Sequence, residues 1–310
     1  MRVFVAGATG LAGSAVVRNR PQDISLFTPN RNTLNLENFN DVSLYMSENR
    51  IDAVIFAAGK VGGILANSRY QKDFLLQNLK IQNSVLEASV KNKVKKFIFL
   101  GSSCIYPKLA NQPIREVDLM SGYLEVTNEG YALAKIAGVR LCKAIFEELG
   151  YDYVSLMPAN LYGINDNYDA ENSHVPAALM RRIHEAKIRD LSSVKIWGSG
   201  RPQREFMNSD DLADACWHFL GSSHGGELIN IGTGLDIAIR DFASIMAKVI
   251  GYSGDFEFDE AKPDGTPRKL LDVSKARSFG WRSKINLEEG LENTYKWFSR
   301  AYEKGEIRGY

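Results

Sequence analysis

The chain has 310 residues, 45% hydrophobic and 24% charged, with a formal net charge of +1. That much apolar material can build either two modest domains or one large α/β unit with an added lobe, and it excludes general disorder. A near-neutral balance without a basic block argues against nucleic acid or an anionic membrane as partner, and no apolar run approaches the ~18 residues of a membrane span.

Met1-Arg2 runs directly into Val3–Ala6, so no secretory leader is expected. Val3–Ala6 predicts a buried strand, followed by glycines, a helix over Leu11–Arg18 closed by Pro21, and a second strand over Ile24–Phe27. Asn35–Glu48 predicts a polar-faced helix and Ala53–Ala57 a third strand. Phe74, Leu75, Leu79, Val85, Leu86 and Ala88 recur at helical spacing, and Phe97–Leu100 gives the next strand. A long helix from Tyr131 to about Glu148 and a strand over Val154–Met157 follow. Short apolar strands alternating with helices predict an α/β fold, a doubly wound parallel sheet covered on both faces. Residues 1–163 are expected to form this unit, with a returning segment at about 204–252 that carries a strand at Glu227–Ile231 and a helix at Ile239–Ile250. Residues 164–203, irregular before a helix at Ala177–Lys187, and 253–310 are expected to form a smaller lobe for substrate. Three scattered cysteines, Cys104, Cys142 and Cys216, fit neither a disulfide framework nor a zinc site. A reduced, cytoplasmic protein without a metal is the expectation.

Gly7-Ala8-Thr9-Gly10-Leu11-Ala12-Gly13 lies between the first strand and the first helix. In that context Gly7 permits the tight turn, Gly10 lets backbone approach a pyrophosphate, and Gly13 lets helix and strand pack closely, while the helix N-terminus offers free N–H groups. A dinucleotide is the expected ligand. Thr28–Asn35 holds no carboxylate to accept from a ribose 2′-OH, but it holds Arg31, which suits a 2′-phosphate and favours NADP(H).

Tyr131 and Lys135, four apart at the start of a helix, fall on one face one turn apart. A phenol titrating near ~10 needs a nearby cation to act as a proton donor and acceptor at neutral pH, and Lys135 can supply it. Ser102, just past the Phe97–Leu100 strand, is placed to bond the same carbonyl oxygen. An extended chain here would project Ser102 and Cys104 to one side. The thiol then suits removal of a proton from the carbon next to that carbonyl. His174, entering the second lobe, can return a proton from the opposite face. A buried structural cysteine and a plain loop histidine are the alternative readings.

The glycine turn, Tyr131, Lys135 and Ser102 together resemble the extended short-chain dehydrogenase/reductases, which have a Rossmann fold. Four segments are similar to a narrower group: Ser102–Lys108, Val61-Gly62-Gly63-Ile64, Met157–Gly163, and Lys262–Val273. They resemble the GDP-L-fucose synthase family, GDP-4-keto-6-deoxy-D-mannose 3,5-epimerase/4-reductases, over most of the chain. The resemblance implies an NADPH-dependent oxidoreductase and epimerase that turns GDP-4-keto-6-deoxy-D-mannose into GDP-L-fucose, as a homodimer paired through the helices at 73–90 and 131–148. It casts Tyr131 as proton donor to O4 supported by Lys135 and Ser102, Cys104 as epimerisation base and His174 as acid. It places Gly7, Thr9, Gly10, Leu11, Gly13, Arg31, Ala57, Ala58, Lys135, Asn160, Leu161 and His174 at the cofactor, and Arg182, Trp197, Arg204 and Asp264 at the GDP-sugar. Three departures stand out: Ala8-Thr9 replaces a bulkier, basic pair in the glycine turn, Gly130 stands where a proline usually precedes the tyrosine, and Ala159 replaces a hydroxyl residue. The first should weaken the grip on cofactor and the second should loosen the entry to the tyrosine helix. Two other readings stay open: a 4-ketoreductase on a related GDP-4-keto sugar such as a dideoxy or heptose derivative, and a non-catalytic dinucleotide-binding scaffold.

Overall fold

A computed structural model describes residues 1–170, 173–261 and 264–309. Asn172, and Lys262-Pro263 at the head of the 262–273 segment, lie outside the described residues. Strands β1 (Arg2–Ala6), β2 (Ser25–Phe27), β3 (Ala53–Phe56), β4 (Lys96–Leu100) and β5 (Asp152–Pro158) alternate with helices α1 (Leu11–Arg18), α2 (Phe39–Glu48), α3 (Ile64–Arg69), α4 (Gln71–Lys91) and α5 (Glu129–Leu149). Next come β6 (Asn160–Tyr162), α6 (Val175–Ile188), β7 (Ser193–Trp197), β8 (Gln203–Asn208) and α7 (Ser209–Gly221). The chain ends with β9 (Leu228–Ile231), β10 (Asp236–Ala238), α8 (Ile239–Ile250), β11 (Asp255–Asp259), β12 (Arg268–Lys269), α9 (Ser274–Ser278) and α10 (Leu287–Glu303).

The main sheet is parallel throughout, in the order β2-β1-β3-β4-β5-β9. Its strands are apolar on both faces because helices cover both, and Val3–Val5, Val54–Ile55 and Phe97–Phe99 are almost fully buried. Stacked rings stiffen the centre: Phe56 lies 5.5 Å from Phe99 with the planes 6° apart, and Phe97 lies 4.9 Å from Tyr153. Helix α2 starts later than Asn35, since Asn38 caps it by accepting from the amides of Asn40 and Asp41.

The second lobe has its own core, and its reach differs from the linear division expected. Helix α8 does not return to the main sheet. Its Phe242, Ala243 and Met246 pack in the second core with Ile183 of α6 and Leu291 and Phe298 of α10, and Phe242 stacks on Phe206 at 4.1 Å. Conversely Leu271, Val273, Ala276 and Trp281, expected in the small lobe, join the first core with α7 and β9. After α6 the 164–203 segment adds a strand that was not expected: β7 pairs in parallel with β11, and β8 is flanked by β6, β10 and β12.

Candidate active site

Sheet order reverses between β1 and β3, which opens a crevice at their carboxyl ends. Gly7 closes β1 with φ +87°, and an added Cβ would lie 2.7 Å from the backbone of Ala58, so only glycine lets these strand ends approach. A Cβ on Gly13 would lie 2.1 Å from the Gly7 carbonyl oxygen, which makes the helix-to-turn contact equally strict. Gly10 differs: its nearest neighbour would be 3.6 Å away, and it caps α1 without a side-chain acceptor. The first turn of α1 also carries no acid, so its amides face an open cradle next to Thr9 and the half-buried Leu11. That cradle fits a diphosphate. Ala57 and Ala58 line its β3 side, the Ala57 amide bonding the Ala6 carbonyl at 2.9 Å. Asn30 folds the next loop by accepting from the amides of Asn32 and Thr33, and Arg31 stands exposed at its tip. The residues present therefore fit a phosphorylated dinucleotide.

Helix α5 carries Tyr131 and Lys135 against β4. Lys135 is 4% exposed, and its ammonium donates to the Leu100 carbonyl at 2.9 Å and lies 5.9 Å from the Tyr131 ring centroid and 5.0 Å from that of Phe99. Burial lowers its pKa to about 8, against a smaller opposing pull from Cys142. Burial, reinforced by the Cys104 charge, pushes the Tyr131 phenol well above its ordinary range, and a hydrogen bond with the Ser102 side chain opposes the shift. The expected loosening by Gly130 is not found. A Cβ there would lie 2.7 Å from the Gln71 carbonyl oxygen, and the Gly130 amide donates to Gln71 Oε1 at 3.3 Å. Glycine at 130 lets the starts of α4 and α5 touch.

Beyond Ser102 the chain is not extended. Ser103–Ile105 coil into a single 3₁₀ turn because Ser102 Oγ accepts from the Cys104 amide at 3.2 Å. Cys104 still comes near enough to Tyr131 for a charge on the sulfur to raise the phenol. Its Sγ accepts from Asn128 Nδ2 at 3.4 Å and from Lys269 Nζ at 3.5 Å, at one end of a pocket of about 40 Å³ also lined by Lys108, Gln112 and Glu125. Sequence reasoning missed Asn128 and Lys269. Both lie within or next to segments already singled out, but only tertiary folding brings position 269 to position 104.

His174 caps α6 from the second lobe. It is open to solvent on one side, yet enough protein surrounds it for desolvation to lower its imidazole below the usual range. Among the described residues no hydrogen bond ties it to Cys104 or Tyr131. Arg204 feels the charges of both Cys104 and Asp264, and desolvation, the larger influence, lowers its pKa. Asp264 accepts from the Ser199 amide at 2.7 Å and its hydroxyl at 2.8 Å, which hold the carboxyl below the ordinary range. Arg182 lies over the Trp197 ring at 5.2 Å, with the indole exposed at the end of β7. Asn160 donates to the Glu205 carbonyl at 3.0 Å, and Leu161 follows it, half-buried, in β6. Ser102, Cys104, Tyr131, Lys135, Arg204 and Asp264 thus form one connected group, and Arg182 with Trp197 a second pair on the small lobe.

Comparison with known proteins identifies the family. A model of the NAD dependent epimerase/dehydratase family matches residues 3–232. The GDP-L-fucose synthase of Escherichia coli (strain K12) is 49% identical over 96% of each chain. GDP-L-fucose synthase 1 of Arabidopsis thaliana is also 49% identical, over 96% of this chain and 93% of that one. Among solved structures, a GDP-6-OMe-4-keto-L-xylo-heptose reductase from C. jejuni superposes with a TM-score of 0.90 at 34% identity, covering 96% of this chain and 97% of the other. The chain belongs to the NAD dependent epimerase/dehydratase family and, within it, to the GDP-L-fucose synthases and their relatives.

Proposed function

We propose that the protein uses NADPH to epimerise C3 and C5 of GDP-4-keto-6-deoxy-D-mannose and then to reduce C4, yielding GDP-L-fucose. The observation that carries the reading is the convergence of one phenol and one thiol at the carboxyl end of β4, each with its own cation: Lys135 beside Tyr131, Lys269 beside Cys104. A 4-keto group acidifies the hydrogens on C3 and C5, so one carbonyl held by Tyr131 and Ser102 serves both reactions. Cys104 removes the proton, with Lys269 and Asn128 donating to its sulfur, and His174 returns one to the other face. Tyr131 then gives its proton to O4 as reduction proceeds, and the adjacent Lys135 ammonium stabilises the phenolate. When bound, the reduced nicotinamide supplies the hydride to C4. Arg31 would meet the 2′-phosphate, the α1 amides the diphosphate, and Ala57, Ala58, Asn160 and Leu161 the rest of the dinucleotide. Arg182 and Arg204 suit the phosphates of the GDP-sugar, Trp197 its flat groups, and Asp264 its hydroxyls.

The working form is a homodimer: α4 and α5 expose Leu76, Leu133 and Leu141, an apolar face that a second copy would cover. A base that must stay a free thiol suits a reducing compartment, in keeping with a cytoplasmic location. A plain 4-ketoreductase is the second reading, favoured by the likeness to the heptose reductase. Incubation with GDP-4-keto-6-deoxy-mannose in heavy water separates the two. Wild type should place deuterium at C3 and C5 with or without NADPH, and C104S should lose it. Consumption of NADPH with no deuterium at either carbon would leave only the ketoreductase.

A further inference from the structure

The chain's end reaches the cofactor turn. Ile307 is 5% exposed and locked into the second core, and the Tyr168 amide donates to the Arg308 carbonyl at 2.8 Å, which fixes the backbone of this exposed arginine. The side chain then crosses to the glycine turn, where Nη1 donates to the Thr9 carbonyl at 3.4 Å. The same nitrogen would lie 3.8 Å from a Cβ on Gly10. Asn165 braces the turn from the same side, its Nδ2 donating to the Thr9 carbonyl at 2.9 Å.

Electrostatics make this placement unusual. A helix N-terminus carries partial positive charge and disfavours a cation. The guanidinium has five donors, and among the described residues only one long bond to a carbonyl uses any of them. Arg308 acts on the buried Asp166, whose pKa burial raises to about 7 against the pull of the Asn167 amide and of Arg308. A cation beside uncapped α1 amides is a stable arrangement once an anion bridges the two. In the turn itself Ala8 and Thr9 offer no charge.

We propose that Arg308 is a cofactor-binding residue, which closes over the diphosphate of the dinucleotide from the chain's C-terminal end. The proposal rests on the dinucleotide reading above, and deepens it by assigning a charge the turn itself lacks. Arg31 serves the 2′-phosphate in that reading, so Arg308 serves the part common to NADPH and NADH.

The test is titration of the cofactor's fluorescence against wild type and R308A, with NADPH and with NADH. R308A should weaken both by the same factor, about tenfold for one lost charge-assisted contact. Thermal melting without cofactor checks that the variant folds. If R308A is too unstable, R308Q keeps an aliphatic stem and an uncharged donor for Thr9, and it should show the same common loss. Unchanged affinity would overturn the proposal and leave Arg308 as a structural tie. A loss confined to NADPH would also overturn it, moving the contact to the 2′-phosphate. Failure of wild type to bind either cofactor would instead overturn the dinucleotide reading.

Discussion

Lys135 is where burial and chemistry pull against each other. It is held at 4% exposure between Phe56, Phe99 and the Tyr131 ring, with one carbonyl to bond. Its folded pKa, about 8, lies below the unfolded value, so the unfolded chain binds the proton more readily between them. Two opposite trends follow. Stability of the cofactor-free protein should rise with pH from about 8 towards the ordinary lysine range, because the cost of burying the charge disappears as the group is neutralised. Ketone reduction should fall over the same interval, because the phenolate loses its cation. Parallel pH series of Tm and of kcat/KM check this, and a flat reduction profile across pH 8–10 would count against Lys135 as the supporting charge.

At the scale of elements, the contact between α4 and α5 decides how Tyr131 is presented. Gln71 bridges the two helix starts: its side chain donates to the Val126 carbonyl at 2.8 Å and accepts from the Gly130 amide, while Gln82 donates to the Ala134 carbonyl at 2.7 Å deeper in the interface. G130A should therefore cost about 1–3 kcal/mol by pushing a methyl group into the Gln71 backbone. A lowered Tm together with a lowered kcat for reduction is the expected outcome, whereas an unchanged Tm would show that the helices part freely. Every strand of the main sheet and both catalytic-face helices were legible, because short apolar runs between glycines and periodic helices carry strong signals. The 3₁₀ turn at Ser103–Ile105 was not, since it depends on a local bond from the Ser102 hydroxyl that competes with extended backbone. Likewise β7 was hidden in a short alternation of Val194, Lys195, Ile196 and Trp197, paired only through β11 more than fifty residues later.

For the whole molecule, the candidate residues are divided between two cores. The first supplies Ser102, Cys104, Tyr131 and Lys135, and the second carries His174, Arg182 and Trp197 on α6 and β7. The glycine turn and the Tyr131 group were readable from spacing within single segments. Asn128, Lys269 and Arg308 were not, because each acts on a partner far away in sequence. The exposed leucines of α4 and α5 give a further prediction: L76E combined with L133E should convert a species of twice the chain mass to a single chain by light scattering. A wild-type protein already running as one chain would remove the dimer from the reading. Lys135 is tethered to the carbonyl of Leu100, the last residue of β4, and that strand also delivers Ser102 and Cys104. Lys135, Ser102 and Cys104 therefore share a single mooring point, while His174, Arg182 and Trp197 hang from a different framework. Reshaping the smaller lobe can therefore change which sugar is admitted while Ser102, Cys104 and Lys135 keep their register, with His174 the acid–base group that moves with that lobe.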